Sequence, residues 1–249
     1  MELTEKKVGK RFHQARTFFD LVGRAIRSHL LLVPAMTRNF LMFWISNLVM
    51  RISPLHRKGL LLGRNVRIQR LRSLVRIGSH SRIEIGDDSI LYEHSRLEAL
   101  GHGCIRIGQC GVIGDCRISA RELVVIGNRV LTSWNVFIQD NDPHPLDPSL
   151  RGEQVKSICR KFYPKFGDTQ ELSEQESETR WIAPTDPVLI GDDVWLGANC
   201  TILKGARVGD GCIVASGSVV TSGEYPPRSI IAGNPARVVR RLVEREVLA

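Results

Sequence analysis

Aliphatic residues return every six positions at Ile190, Leu196, Ile202, Val208, Val214 and Val220. A helix would bring apolar residues back at three and four positions and a simple strand at two, so this period belongs to neither. Four residues after each of the first five stand Val194, Cys200, Ala206, Cys212 and Ser218, all small or medium, while Gly191, Gly197 and Gly209 directly follow an aliphatic position. The unit is a short strand and a turn. It recurs upstream at Ile77-Gly78, Ile85-Gly86, Ile107-Gly108, Ile113-Gly114 and Ile126-Gly127, with Ser81, Ser89, Gly111 and Val130 in the small slot. There the register slips between copies, which predicts bulges or short loops such as Gly101-His102-Gly103.

Three such units wind a chain into a triangular coil. The aliphatic residue fills the interior, the small residue fits near a corner, and Gly, Asp or Asn makes the turn. An all-β solenoid, a β-helix prism with coils about 4.8 Å apart, is therefore expected. Residues 64–138 and 188–221 together hold 109 residues, roughly six coils of three units each.

The repeat is interrupted. Ile138 and Ile190 lie 52 positions apart, which is not a multiple of six, so residues 139–187 are an inserted loop. Loops of that length in a compact solenoid are usually functional or disordered. Its polar stretch Gln170 to Arg180 is expected to be the disordered part. Its start, Asp140-Asn141-Asp142-Pro143-His144-Pro145-Leu146-Asp147-Pro148, sets a histidine between two prolines among acidic residues. A carboxylate there can fix the imidazole tautomer and raise its basicity; the alternative is an ordinary surface-loop histidine.

Ahead of the solenoid, Phe12, Ala15, Phe19, Val22, Ile26, Leu30 and Val33 recur at three and four residues among Lys7, Arg11, Arg16, Arg24 and Arg27. This predicts an amphipathic helix ended or kinked by Pro34, with a second apolar helix over about 35–52. Either it caps the solenoid end, or it lies on an anionic membrane surface. The most apolar window, Leu30 to Met50, contains Pro34, Arg38, Asn39, Ser46 and Asn47, which suits a buried or interfacial helix pair better than a membrane span.

Charge sharpens that picture. Of 249 residues, 43% are hydrophobic and 6% aromatic, so the core must be built from Ile, Val, Leu and Ala, and disorder or collagen-like structure is excluded. Residues 1–76 carry 16 Lys/Arg against 3 Asp/Glu, while the whole chain is only +9, so the rest is mildly acidic. A basic end suits nucleic acid, anionic lipid or an acidic glycan, and no nucleic-acid-binding motif favours the first. No secretory signal is apparent, and the six cysteines form no CxxC, so a reduced cytoplasmic setting is expected. Cys200 and Cys212 belong in the buried small slot. Cys104, Cys110 and Cys116, also six apart, fall on different faces and suit neither a disulfide nor a metal cluster.

Over residues 64–241 the chain resembles the hexapeptide-repeat acyltransferases, most specifically from Ile190 to Arg241 with its Ile231-Ala232-Gly233-Asn234-Pro235-Ala236-Arg237. The resemblance implies a left-handed parallel β-helix over 61–241, an N-terminal helical segment over 1–60, a short C-terminal helix and a tail at 242–249. His144-Pro145 stands where the galactoside and maltose O-acetyltransferases carry their base, and the Asp-x-Asp-x-His form resembles the capsule and lipopolysaccharide O-acetyltransferases.

By that likeness His144 takes the proton of an acceptor hydroxyl, and Asp142 or Asp140 orients the imidazole or contacts the acceptor. Trp195 lines the site toward a sugar or the pantetheine arm unless it packs at a subunit interface, and Asn135 contacts the acceptor unless it is simply a turn residue. Ala198 offers a backbone N–H to the thioester oxygen. Ser216, Gly217 and Thr221 lie along acetyl-coenzyme A, although Ser222 stands where a lysine is common. Arg237 and Arg240 face its phosphates, and Arg241 is a solvated charge on a last helix.

The implied assembly is a homotrimer that takes acetyl-coenzyme A and a glycan acceptor, with no nucleic acid and no metal. Other readings are N-acetylation of an amino sugar or small xenobiotic, a zinc hydratase of the γ-carbonic anhydrase type using His80, His94, His102 or His144, and a non-catalytic scaffold.

Overall fold

The computed structural model describes residues 59–70, 73–78, 80–161 and 182–243, together with Leu48. The expected N-terminal helices, the polar stretch Gln170 to Arg180 and the end of the tail lie outside the described residues.

Short strands alternate among three sheets. Sheet 1 holds β1 (Leu60–Leu62), β4 (Arg82–Ile85), β7 (Cys104–Ile107), β10 (Leu123–Ile126), β13 (Val188–Ile190), β16 (Ala206–Val208) and β19 (Gly223–Tyr225). Sheet 2 holds β2 (Arg67–Ile68), β5 (Ile90–Leu91), β8 (Val112–Ile113), β11 (Leu131–Thr132), β14 (Trp195–Leu196), β17 (Ile213–Val214), β20 (Ser229–Gly233) and β21 (Ala236–Arg241). Sheet 3 holds β3 (Leu74–Ile77), β6 (Arg96–Leu100), β9 (Cys116–Ala120), β12 (Val136–Gln139), β15 (Thr201–Ile202) and β18 (Val219–Val220). Each of the first six coils gives one strand to each face, the seventh gives β19 and β20, and neighbouring coils pair in parallel. The result is the expected solenoid, with about seven coils rather than six, because it starts at Leu60 and continues past Val220 into β19 and β20.

The interior follows the period. Ile68, Leu91, Ile113, Leu196, Val214 and Ile231 stack from sheet 2, and Leu97, Ile118, Ile138, Ile202 and Val220 from sheet 3, all fully buried. Val194, Cys200, Ala206, Cys212 and Ser218 are each at most 1% exposed. Burial pushes the Cys116, Cys200 and Cys212 thiols above their ordinary pKa, which marks them as packing residues.

Partnered positions are 18 residues apart in the plain coil from Leu189 to Arg207, but 23 from Leu60 to Ile83 and 22 from Ile83 to Ile105. The extra residues sit at the turns between sheets 3 and 1, including Gly101-His102-Gly103. Asn65, Asp88, Cys110, Arg129, Asp193, Gly211 and Arg228 mark the turn from sheet 1 to sheet 2, one per coil, each with positive φ. Beside them, carboxylates and amides reach across coils. The N–H of Arg64 donates to Asp87, that of Gln109 to Asn128, that of Asn128 to Asp192 and that of Asp192 to Asp210.

Two elements differ from expectation. The insertion between β12 and β13 contains a helix, α1 (Pro148–Lys161), with Pro148 at its first position and Asp147 Oδ1 accepting the Leu150 N–H as a cap. The second is a correction: Arg237, Arg240 and Arg241 lie on a strand, not on a closing helix. β21 folds back antiparallel on β20 after the Asn234-Pro235 turn. Val238 and Val239 favour extended backbone, and the arginines project into solvent from it.

Candidate active site

The sequence-predicted residues fall on two edges of the prism. The turn between sheets 2 and 3 forms the first. Here Asn135 and Asn199 adopt positive φ, and Asn135 donates its side-chain N–H to Asn199 Oδ1 at 2.8 Å. The Asn199 N–H meets the Trp134 carbonyl at 2.9 Å, and the Gly217 N–H meets the Ala198 carbonyl at 2.8 Å. Gly197 packs so closely under the next coil that a Cβ there would sit 2.7 Å from the Ser216 nitrogen. One coil further on, the Ala215 N–H binds the Ile231 carbonyl, Gly233 donates to Ser218 Oγ at 3.2 Å, and Arg237 pairs with Ala232. Asn135, Ala198, Ser216, Gly217 and Arg237 therefore form one column up this edge. Over four coils it is roughly 15–20 Å long.

Trp195 flanks this column on sheet 2. Its side chain points outward, 47% exposed, and its indole N–H donates to Ser133 Oγ at 3.2 Å, which draws the ring toward the coil of Trp134. Trp134 itself, 76% exposed, adds a second indole on the same edge. Sequence reasoning passed over it in favour of its neighbour Asn135. Arg240 lies further along β21, opposite Ile230.

The turn between sheets 3 and 1 forms the second edge, and the insertion leaves the solenoid there. Asp140 turns its carboxylate inward and is fully buried. It accepts the backbone N–H groups of Arg121, Glu122 and Leu123 and the Asn141 amide. Asp142 pairs with Lys204 at 3.2 Å, and its N–H donates to the Pro184 carbonyl. His144 is exposed, and its Nδ1 lies 3.0 Å from Gln154 Oε1 of α1. A neutral amide, not a carboxylate, thus meets the imidazole. Gln154 and Lys204 were both missed. Lys204 is the lone lysine of the regular repeat after Ile190, a signal that could have drawn notice; Gln154 has none. Thr221 belongs to the same edge, two residues before Gly223, whose N–H meets the Gly205 carbonyl.

The two groups are not brought together within one chain. Sheet 3 separates them, and the five residues from Asn135 to Asp140 span about 16 Å of strand.

For the hydratase reading, His80 and His102 stack at 4.9 Å between ring centroids, and His94 pairs with Glu93. Among the described residues no group of three or more His, Cys, Asp or Glu side chains could hold a metal ion.

The family model described as bacterial transferase hexapeptide (six repeats) matches residues 187–222. A protein of Escherichia coli (strain K12), named as the lipopolysaccharide biosynthesis O-acetyl transferase WbbJ, is 29% identical over 179 residues, 72% of this chain and 80% of that protein. A Saccharomyces cerevisiae protein named as an acetyltransferase is 40% identical over 140 residues, 54% of this chain and 57% of that one. Among solved structures, AntD, an N-acyltransferase from Bacillus cereus in complex with dTDP and 3-hydroxybutyryl-CoA, shares the fold with a TM-score of 0.51. It is 17% identical over 77% of this chain and 87% of that one. Residues 187–222 thus carry the hexapeptide transferase repeat, and both the Escherichia coli and the Saccharomyces cerevisiae relative are named as acetyltransferases.

Proposed function

We propose that the protein is an acetyl-coenzyme A-dependent O-acetyltransferase acting on a sugar hydroxyl of a surface polysaccharide or its lipid-linked precursor. The observation that carries this reading is the column of Asn135, Ala198, Ser216, Gly217 and Arg237 along one edge. It is an extended track with a guanidinium at its end, suited to a long thioester cofactor whose charge is concentrated in phosphates. The name of the Escherichia coli relative supports a glycan acceptor.

In this reading the imidazole of His144 removes the acceptor's hydroxyl proton as the oxygen attacks the thioester carbonyl. The Ala198 N–H donates to the oxygen that gains charge. The intermediate collapses by breaking the carbon–sulfur bond, and His144 returns its proton to the departing thiolate. Asn135 and Trp195 border the acceptor, Asp142 with Lys204 and Asp140 hold the loop, and Arg240 with Arg237 takes phosphate. No step calls for a metal.

The protein acts as a homotrimer, its sites shared between subunits, because the His144 loop and the column lie on different edges of one chain. An apolar ladder supports association. Ile90, Val112, Leu131, Trp195, Ile213 and Ile230 line up in register on the outer face of sheet 2, with Leu131 and Trp195 nearly half exposed. No described helix is long and apolar enough to cross a membrane. The basic residues 1–60 bring the enzyme to the cytoplasmic membrane surface.

Calorimetric titration with acetyl-coenzyme A tests the donor site. Heat of binding that disappears in the Arg237→Ala, Arg240→Ala double variant is the expected result. A wild-type protein that does not bind the cofactor would remove the basis of the proposal.

A further inference from the structure

Gln154 sits on the first turns of α1, ten residues after His144, and makes two hydrogen bonds that together fix its orientation. Its Nε2 donates to the Pro143 carbonyl at 3.2 Å, and its Oε1 lies 3.0 Å from His144 Nδ1. A carbonyl oxygen only accepts, so the end facing Pro143 must be the amide nitrogen. The end facing the imidazole is then oxygen, which carries no hydrogen, so Nδ1 must hold one. Turning the amide over would set two oxygens against each other at Pro143 and lose that bond.

We propose that Gln154 is the positioning residue that sets the tautomer of His144, keeping the proton on Nδ1 and the lone pair on Nε2. The inference rests on His144 being the base, since only then does the choice of nitrogen govern the chemistry. Only the nitrogen without a proton can accept one from the acceptor, and Nδ1 is turned toward the helix, so Nε2 is the working atom.

The rest of α1 supports the same arrangement. Arg151, one turn before Gln154 on the same face, donates to the carbonyls of Pro145 and Leu146 at 2.8 and 3.0 Å. Helix side chains thus hold the backbone on both sides of His144. Two prolines restrict the backbone there further. The histidine is placed by a template, although it stands in an insertion.

The test uses the full-length protein labelled with 15N-histidine, with the His144 signal identified by its loss in His144→Asn. At a pH where the imidazole is neutral, wild type should show the Nδ1–H pattern. In Gln154→Met that pattern should give way to Nε2–H, with kcat down by roughly 10-fold and KM for acetyl-coenzyme A unchanged. Gln154→Glu keeps an acceptor at Nδ1 and should restore the Nδ1–H pattern and most of the rate. Nε2–H in the wild-type protein, or a Gln154→Met spectrum identical to wild type, overturns the proposal. If the spectra behave as stated and His144→Asn keeps full activity, the tautomer assignment stands and the reading of His144 as base fails.

Discussion

Lys204 Nζ lies 3.2 Å from Asp142 Oδ2, tying the turn after β15 to the loop two residues before His144. The same loop start is fastened by the Asn141–Thr185 bridge and by the Asp142 N–H on the Pro184 carbonyl, so the insertion closes on itself beneath the histidine. The pair's side chains are 33% and 41% exposed, so it contributes no more than about 1 kcal/mol of stability. Its value is positional. Lys204→Met should therefore leave the melting temperature within about 4 °C of wild type and lower kcat several-fold. Parallel melting and rate measurements check this; a large loss of stability with intact kcat would show the pair to be merely structural.

Asp140 is a different case, because its carboxylate is fully buried and gathers three backbone N–H groups and one amide. Removing it takes the shared acceptor of those donors out of a fully buried position. Asp140→Ala should cost about 3 kcal/mol or more, read from denaturant unfolding. A loss under about 1 kcal/mol would mean that water replaces the carboxylate at little cost.

Gly127 and Gly191 join the last coil before the insertion to the first coil after it. A Cβ on Gly127 would stand 2.6 Å from the Gly191 carbonyl carbon, a backbone atom that can move only if the coils part. Gly127→Ala should then destabilise the protein by about 1–3 kcal/mol. Gly152→Ala, with nothing within 4 Å of its added methyl, is the control and should be neutral or stabilising.

The interior of this fold was legible because one rule governs it. Each aliphatic position from Ile190 to Val220 points inward, and Cys200 and Cys212 sit in the small slot as the period required. The period fails where coils carry extra residues at their third turn; the count fell short by one because the solenoid begins at Leu60 and runs past Val220 into β19 and β20. It also fails at β21, where the arginines hid a strand that repeats nothing. The proline-bound setting singled out His144 as a candidate. The Gln154 that meets it and the Lys204 that pairs with Asp142 were not legible, since they arrive by the return of a helix and by coil stacking across 62 residues, neither of which leaves a spacing to read.

Acid should loosen the prism at the turn between sheets 1 and 2. Hydrogen bonds from the Arg64 backbone hold Asp87 below the ordinary carboxylate range; bonds from the Asn128 side chain do so for Asp192, and from the Arg129 guanidinium for Asp193. A carboxyl whose folded-state pKa is depressed adds stability above its unfolded value, about 3.9, and loses it as pH falls through the lower folded-state value. Stability should therefore fall as the solution is taken below about pH 4. The Asp192→Asn, Asp193→Asn variant, weaker at neutral pH, should lose less on acidification. Equal acid sensitivity of the two proteins in unfolding curves at pH 5 and pH 3 would assign the acid effect to other groups.

Sharing of the site between subunits can be read by complementation. On the proposed reading, His144→Asn takes away the base and Arg237→Ala with Arg240→Ala the phosphate contacts, so each protein alone should be nearly inactive. If every site takes its loop from one subunit and its column from the next, random co-assembly gives roughly a quarter of sites with both intact. Co-expression should then recover about a quarter of wild-type activity, whereas sites built within single chains would recover none. Leu131→Glu, at the middle of the apolar ladder between Val112 and Trp195, puts a charge where another copy packs in the proposed trimer. It should yield monomers by sedimentation and abolish the recovery. Monomers that keep full activity would show that one chain completes the site by itself.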